Sequence, residues 1–232
     1  MLNQESMYYG TPSTTLEQHT RNTFLWMFGG LLVTALVAYF FANTGLMLYF
    51  LLEAPFLSIV LLIAQLGIAV AFGARLMKMK SSTAIILYLL YAITLGVTFS
   101  SLMYIYDLGS IFFAFGLTAI YFGALALIGY TTKIDLTKLG TICIIGLIVL
   151  VIAEIILMLI GVDTTTKIFT AIGMLIFTGL TAYDVQKMKK LYVAHLQDDE
   201  LLKKLSIYSA FDLYLDFINI FLYVLRLVGN RD

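Results

Sequence analysis

Five ionisable side chains, Glu154, Asp184, Asp212, Asp216 and Arg226, stand inside otherwise apolar stretches, and Arg75 closes another. Charge in hydrocarbon is costly enough that each such group needs a physical reason. Asp212 and Asp216, in SAFDLYLDF, are four residues apart, so a helix sets both carboxylates on one face. A neighbouring antiparallel helix that brings Asp184, in TAYDVQ, to similar depth gathers two or three carboxylates in one poorly solvated region. Two such groups at close range cannot comfortably both ionise, so they should share a proton and titrate as a pair. The constellation can hold a cation when deprotonated, and protonation can release that cation or change helix packing. The plainer alternative has the carboxylates accept hydrogen bonds from Tyr183, Tyr208, Tyr214, Asn219 or helix ends, or pair with Arg75.

The remaining candidates carry less chemistry. Arg75 either snorkels to an interface or reaches back to a carboxylate and closes a pathway. Glu154 lies roughly 21 Å along its segment from Gly140, at 1.5 Å per residue. There it either lines a vestibule or sits as a neutral, hydrogen-bonded structural carboxyl. His19 and His195 fall in an expected tail and loop, without the spacing of zinc ligands, and no GxSxG occurs. Cys143 is the single cysteine, which excludes an intramolecular disulfide and a thiolate cluster. An intramembrane aspartyl protease needs YD and GxGD patterns, and YD at Tyr183–Asp184 is present without the second. No enzyme and no cofactor is expected.

The elements that hold these residues follow from composition. The chain is 61% hydrophobic and 12% charged, far from the balance of a soluble domain. The apolar residues come in blocks of about 20, the length that crosses the hydrocarbon core. Segments are expected at 24–42, 56–76, 84–104, 110–129, 140–160, 168–186 and 208–228. They form one domain, 24–228, behind a polar tail at 1–23 and with a charged cytoplasmic loop, expected to hold some helix, at 187–207. The last segment, with carboxylates in its first half, suits a central, short or re-entrant helix as well as a lipid-facing span. Small residues at Gly67 and Ala71, at Gly116 and Gly123 about Ile120, and at Gly173 and Gly179 about Phe177 permit close helix approach.

Charge sets orientation and partners. With the N-terminus inside, Arg21, Arg75, Lys78, Lys80, Lys133, Lys138, Lys187, Lys189, Lys190, Lys203 and Lys204 all fall on the inner side, leaving Lys167, Arg226 and Arg231 outside. That asymmetry predicts a cytoplasmic N-terminus. Formal net charge is zero and no basic domain stands apart, which excludes nucleic acid as a partner. The lipid bilayer is the certain partner, and oligomeric state leaves no mark.

GYTTKIDLTKLG at 129–140, GLTAYDVQ at 179–186, SAFDLYLDFINIFLYVLRLVG at 209–229 and the Ala-Arg ending of AVAFGARLMKM together resemble the bacterial branch of the Bax inhibitor-1 family. The resemblance covers nearly the whole chain. It implies an all-α, polytopic membrane protein of the bacterial inner membrane, a seven-helix bundle in which six helices surround a central C-terminal helix. It also implies Ca²⁺ leak, with Asp184 and Asp216 as pH sensor and cation site and Arg75 as an associated latch. Gln65 stands where bacterial relatives often carry an acid, and Asp212 adds a charge beside Asp216.

The expectation is therefore a pH-sensitive Ca²⁺ leak pathway through which Ca²⁺ and protons act on Asp184 and Asp216, with Arg75, Asp212 and Glu154 as contributors. Hard divalent cations prefer such oxygen ligands. The rival is a membrane interaction protein that restrains a membrane protease or other complex through the 187–207 loop. A secondary transporter would need inverted repeats, and none is evident.

Overall fold

A capping pair, rather than an apolar run, opens the first helix. In the computed structural model, which describes residues 14–53, 56–75, 78–161 and 166–230, the Gln18 amide donates to Thr15 Oγ1 and the Thr15 amide donates to Gln18 Oε1. This capping box satisfies two otherwise orphaned donors and starts α1 (Leu16–Asn43) well before residue 24. Residues 1–13 of the expected tail lie outside the described residues. The chain continues as α2 (Leu46–Glu53), α3 (Phe56–Arg75), α4 (Ser81–Phe99) with a 3₁₀ turn (Ser100–Tyr104), α5 (Leu108–Thr131), α6 (Thr137–Leu159), α7 (Lys167–Ala194) and α8 (Asp199–Val228).

Among the described residues six helices are long and apolar enough to cross a membrane: α1, α3, α4 with its 3₁₀ turn, α5, α6 and α7. The expected count of seven is corrected to six. The exception, α8, carries Asp212, Asp216 and Arg226 between residues 211 and 228, and the helices packed around it bury most of its circumference from Leu202 to Leu225. It is an internal post whose two aspartates are faced by protein, while Arg226 near its C-terminal end is exposed.

α8 packs against α1, α4, α5 and α7, while α3 lies mainly on α4 and α6 on α7. The two outer helices show the consequence: Ile59, Ile63, Leu66 and Val70 of α3 and Ile142, Ile145, Val149 and Ile152 of α6 are all exposed. Such faces are untenable in water and ordinary against acyl chains.

Aromatic rings grip the post at steps of three residues. Phe211 meets Phe72 at 4.5 Å and Tyr91 at 5.0 Å, Tyr214 meets Tyr88 at 5.6 Å, and Phe217 sits between Phe115 at 5.3 Å and Phe122 at 5.4 Å. Tyr214 is also hydrogen-bonded at 2.6 Å to Thr34 Oγ1 of α1, so the buried hydroxyl is not left unpaired. With these rings turned to α3, α4 and α5, the polar residues of α8 are left facing α7.

Helix contacts are closest at glycines the sequence pattern did not single out. A Cβ on Gly30 of α1 would strike the Tyr88 hydroxyl of α4, and one on Gly129 of α5 would strike the carbonyl of Ala182 on α7. Of the expected close-approach glycines, Gly173 and Gly179 do meet neighbours, Gly179 through Cys143 Sγ. Gly67, Gly116 and Gly123 face open space. Spacing alone could not tell a lipid-facing glycine from a packed one, because both faces of these helices are apolar.

Candidate functional site

On α8 at 100° per residue, Asp212, Asp216 and Tyr223 fall within one narrow stripe, and that stripe faces α7. α7 answers with Thr181, Asp184 and Lys187, itself a three-residue progression along one face. The Asp184 and Asp216 carboxyl groups come within hydrogen-bonding reach of one another, with Thr181 beside Asp216. Asp216 is 3% exposed, and its Oδ2 is buried without a donor. A buried acceptor left unpaired is expensive; a proton held between the two carboxyls would satisfy it.

The cation at this cluster is Lys187. Its Nζ donates to Asp184 Oδ1 at 3.2 Å and to Asp212 Oδ2 at 2.7 Å, so one ammonium ties α7 to α8. The Tyr208 ring lies 4.8 Å from the same nitrogen, close enough for a cation–π contribution. Arg75 is exposed at the end of α3 and makes no ion pair among the described residues. Sequence reasoning ended the sixth segment at residue 186 and left Lys187 in a solvated charge run. The available signal was its spacing of three from Asp184.

Asp212 joins the cluster through Lys187 rather than by contact with Asp216. Glu154 is not part of it: half-buried on α6, with Oε1 buried and unpaired, it lies toward Tyr223, on the other side of Asp216 along α8. Among the described residues no group of three or more His, Cys, Asp or Glu is placed to hold a metal ion together. A cation at the seam would therefore take two carboxylates and keep water at its other positions.

The expected 187–207 loop is largely helix, because α7 runs to Ala194 and α8 begins at Asp199. His19, expected in a polar tail, is fully buried beside it, with Nδ1 2.9 Å from Ser206 Oγ and its ring 5.4 Å from that of Tyr192. The capping box explains the difference, since it extends α1 far enough to pack on α7 and α8. The α5–α6 connection is pinned to the same end: Gln186 accepts from the Leu136 amide at 2.9 Å and donates to the Ile134 carbonyl at 2.7 Å.

Asp135 in that connection, exposed and outside the spans, accepts from Lys190 Nζ at 2.5 Å and from Thr137. These bonds, Lys190 first, hold its carboxyl below the usual carboxylate range. A depressed carboxylate contributes stability above its unfolded value and loses it as pH falls through the folded one. Asp135→Ala should therefore speed amide exchange across 132–137 at pH 7, by roughly threefold for an exposed pair. Wild type and variant should converge in strong acid, which hydrogen–deuterium exchange at two pH values would check.

The bundle and its charged seam define a multi-pass α-helical membrane protein built around an internal polar helix. Residues 16–232 match the family described as Inhibitor of apoptosis-promoting Bax1. The chain is 38% identical over 221 residues to Inner membrane protein YbhL of Escherichia coli strain K12, covering 95% of this chain and 94% of the relative. An uncharacterised protein of Borreliella burgdorferi is 39% identical over 202 residues, covering 87% of each, and one of Rickettsia prowazekii is 41% identical over 172 residues, covering 74% and 72%. The chain belongs to the Bax inhibitor-1 family, in its bacterial branch. The helix pattern and the similarity to an inner membrane protein of Escherichia coli support multi-pass insertion in the inner membrane.

Proposed function

We propose that this protein is a pH-sensitive cation leak pathway, with Ca²⁺ as its ion, whose state is set by the Asp184–Asp216 pair. The observation that supports it most is Asp216, whose Oδ2 is buried at the α7–α8 contact with no donor and whose carboxyl neighbours that of Asp184. A pair that holds one proton is neutralised in part and keeps the two helices together; a pair that loses it repels. Proton occupancy thus biases a two-state packing of α8 against α7, which is the physical form of a local charge switch. The ion would pass along the polar stripe of α8, with Glu154 and Tyr223 lining the end away from Lys187. The N-terminus and the Lys187 end are placed in the cytoplasm on lysine and arginine distribution. Arg75 would act as a latch only in a conformation that brings the end of α3 onto the aspartates.

A second reading, an interaction protein that restrains a membrane partner, is favoured by the exposed Asp198, Asp199, Glu200 and Lys203 at the α7–α8 turn. Deleting this region would remove the buried Leu202 and Leu205, so the discriminating change is Asp198, Asp199, Glu200 and Lys203 to Ser. Purified protein in liposomes carrying an internal Ca²⁺ dye should admit Ca²⁺ faster than empty liposomes, and the serine variant should match wild type. Flux indistinguishable from that of empty liposomes would leave the interaction reading as the better one.

A further inference from the structure

We infer that the Lys187 ammonium is the resident cation of the aspartate seam, a tethered occupant that an incoming metal ion must displace. The inference rests on the reading that a cation enters at these aspartates. Lys187 Nζ stands where a small ion bridging α7 and α8 would stand, 3.2 Å from Asp184 and 2.7 Å from Asp212. The stem that carries it is anchored on α7, and the Tyr208 ring at 4.8 Å lines its other side.

The charges around it explain why it stays and why it can be displaced. Asp184, Asp212 and Asp216 face one ammonium, and Arg75 is paired with none of them among the described residues. The cluster is therefore carboxylate-rich even with Lys187 in place, and Asp216 Oδ2 remains without a donor. Tyr183 on α7 and Cys143 on α6 are the other titratable groups turned toward it; neither supplies a positive charge. Lys187 holds its site through a flexible four-carbon stem and single-point hydrogen bonds rather than a rigid fork. A divalent ion with its stronger field can compete for the same two carboxylates, while a monovalent ion gains little over the ammonium already there. Lys187 thereby acts as a positioning and selectivity residue.

The test is Tb³⁺ binding by the full chain in nanodiscs, read as luminescence sensitised by tyrosine and competed with Ca²⁺. Lys187→Gln removes the tethered cation and should tighten Ca²⁺ competition on the order of tenfold, as loss of a competing charge-assisted pair implies. Lys187→Arg keeps a cation in place and should stay within about twofold of wild type or weaken. Should Lys187→Gln fold poorly once its carboxylates are unpaired, added Ca²⁺ should raise its melting temperature far more than that of wild type, because an ion that binds the folded state stabilises it. Equal Ca²⁺ affinity in wild type and Lys187→Gln overturns the inference, as does a Lys187→Gln protein that Ca²⁺ cannot stabilise. Ca²⁺ flux on the same preparations separates the two claims. Tighter binding without flux in any variant sinks the leak and keeps the tethered cation; wild-type leak with unchanged affinity does the reverse.

Discussion

Asp216→Asn is expected to yield a folded protein whose melting temperature no longer varies with pH over the range in which the wild-type pair titrates. The amide has the shape of a protonated carboxyl, and its NH2 group can replace the unpaired Oδ2 acceptor with a donor toward Asp184. Asp184 then keeps its ion pair with Lys187 and faces a neutral neighbour at every pH. In wild type, loss of the shared proton sets two buried carboxylates against each other, so stability should fall toward alkaline pH relative to the variant. A difference of about 2 kcal/mol at the alkaline end is the scale for a buried, poorly solvated pair. Asp184→Asn should remove the same pH dependence, and the double variant should add little to either, because residues of one network are not independent. Thermal melts in detergent at several pH values measure this, and additive single effects would separate the two aspartates.

Gly129→Val should prevent accumulation of folded protein, whereas Gly123→Val on the same helix should be tolerated. A Cβ at 129 meets the Ala182 carbonyl and backbone of α7, which cannot rotate away as a side chain could, while 123 faces open space. Overpacking against backbone costs roughly 3 kcal/mol or more. It would also shift α7, and with it Asp184 and Lys187, relative to α8. Monodisperse yield by size exclusion distinguishes the two glycines, and a well-behaved Gly129→Val protein would contradict the packing described here.

The sequence made the carboxylates legible because hydrocarbon leaves few reasons for an acid. The four-residue step from Asp212 to Asp216 then put both on one face, as the structure has them. It did not reveal their counter-ion. Lys187 lies beyond the apolar window that marked the sixth segment, yet α7 continues to Ala194, and a charge on a continuing helix is not a solvated loop. Arg75, a candidate from its place at a segment end as well as from the family resemblance, is exposed at the end of α3 and makes no ion pair among the described residues. His19 was misplaced for a related reason: Thr15 and Gln18 carried the helix start, while hydropathy placed it at 24. The seventh segment shows the limit of hydropathy from the other side. Apolar length suggested a span, but burial by α1, α4, α5 and α7, with Lys187 as partner, is what allows its aspartates to exist.

The most direct test of the central claim is Ca²⁺ flux through the purified protein in liposomes, scanned from about pH 5 to 8 to bracket shifted carboxylate titrations, beside Asp184→Asn and Asp216→Asn. The account predicts protein-dependent flux that changes with pH in wild type and a profile flattened in both variants. Flux whose pH profile is the same in all three proteins would contradict the proton-sharing pair, and no protein-dependent flux at any pH would contradict the leak itself.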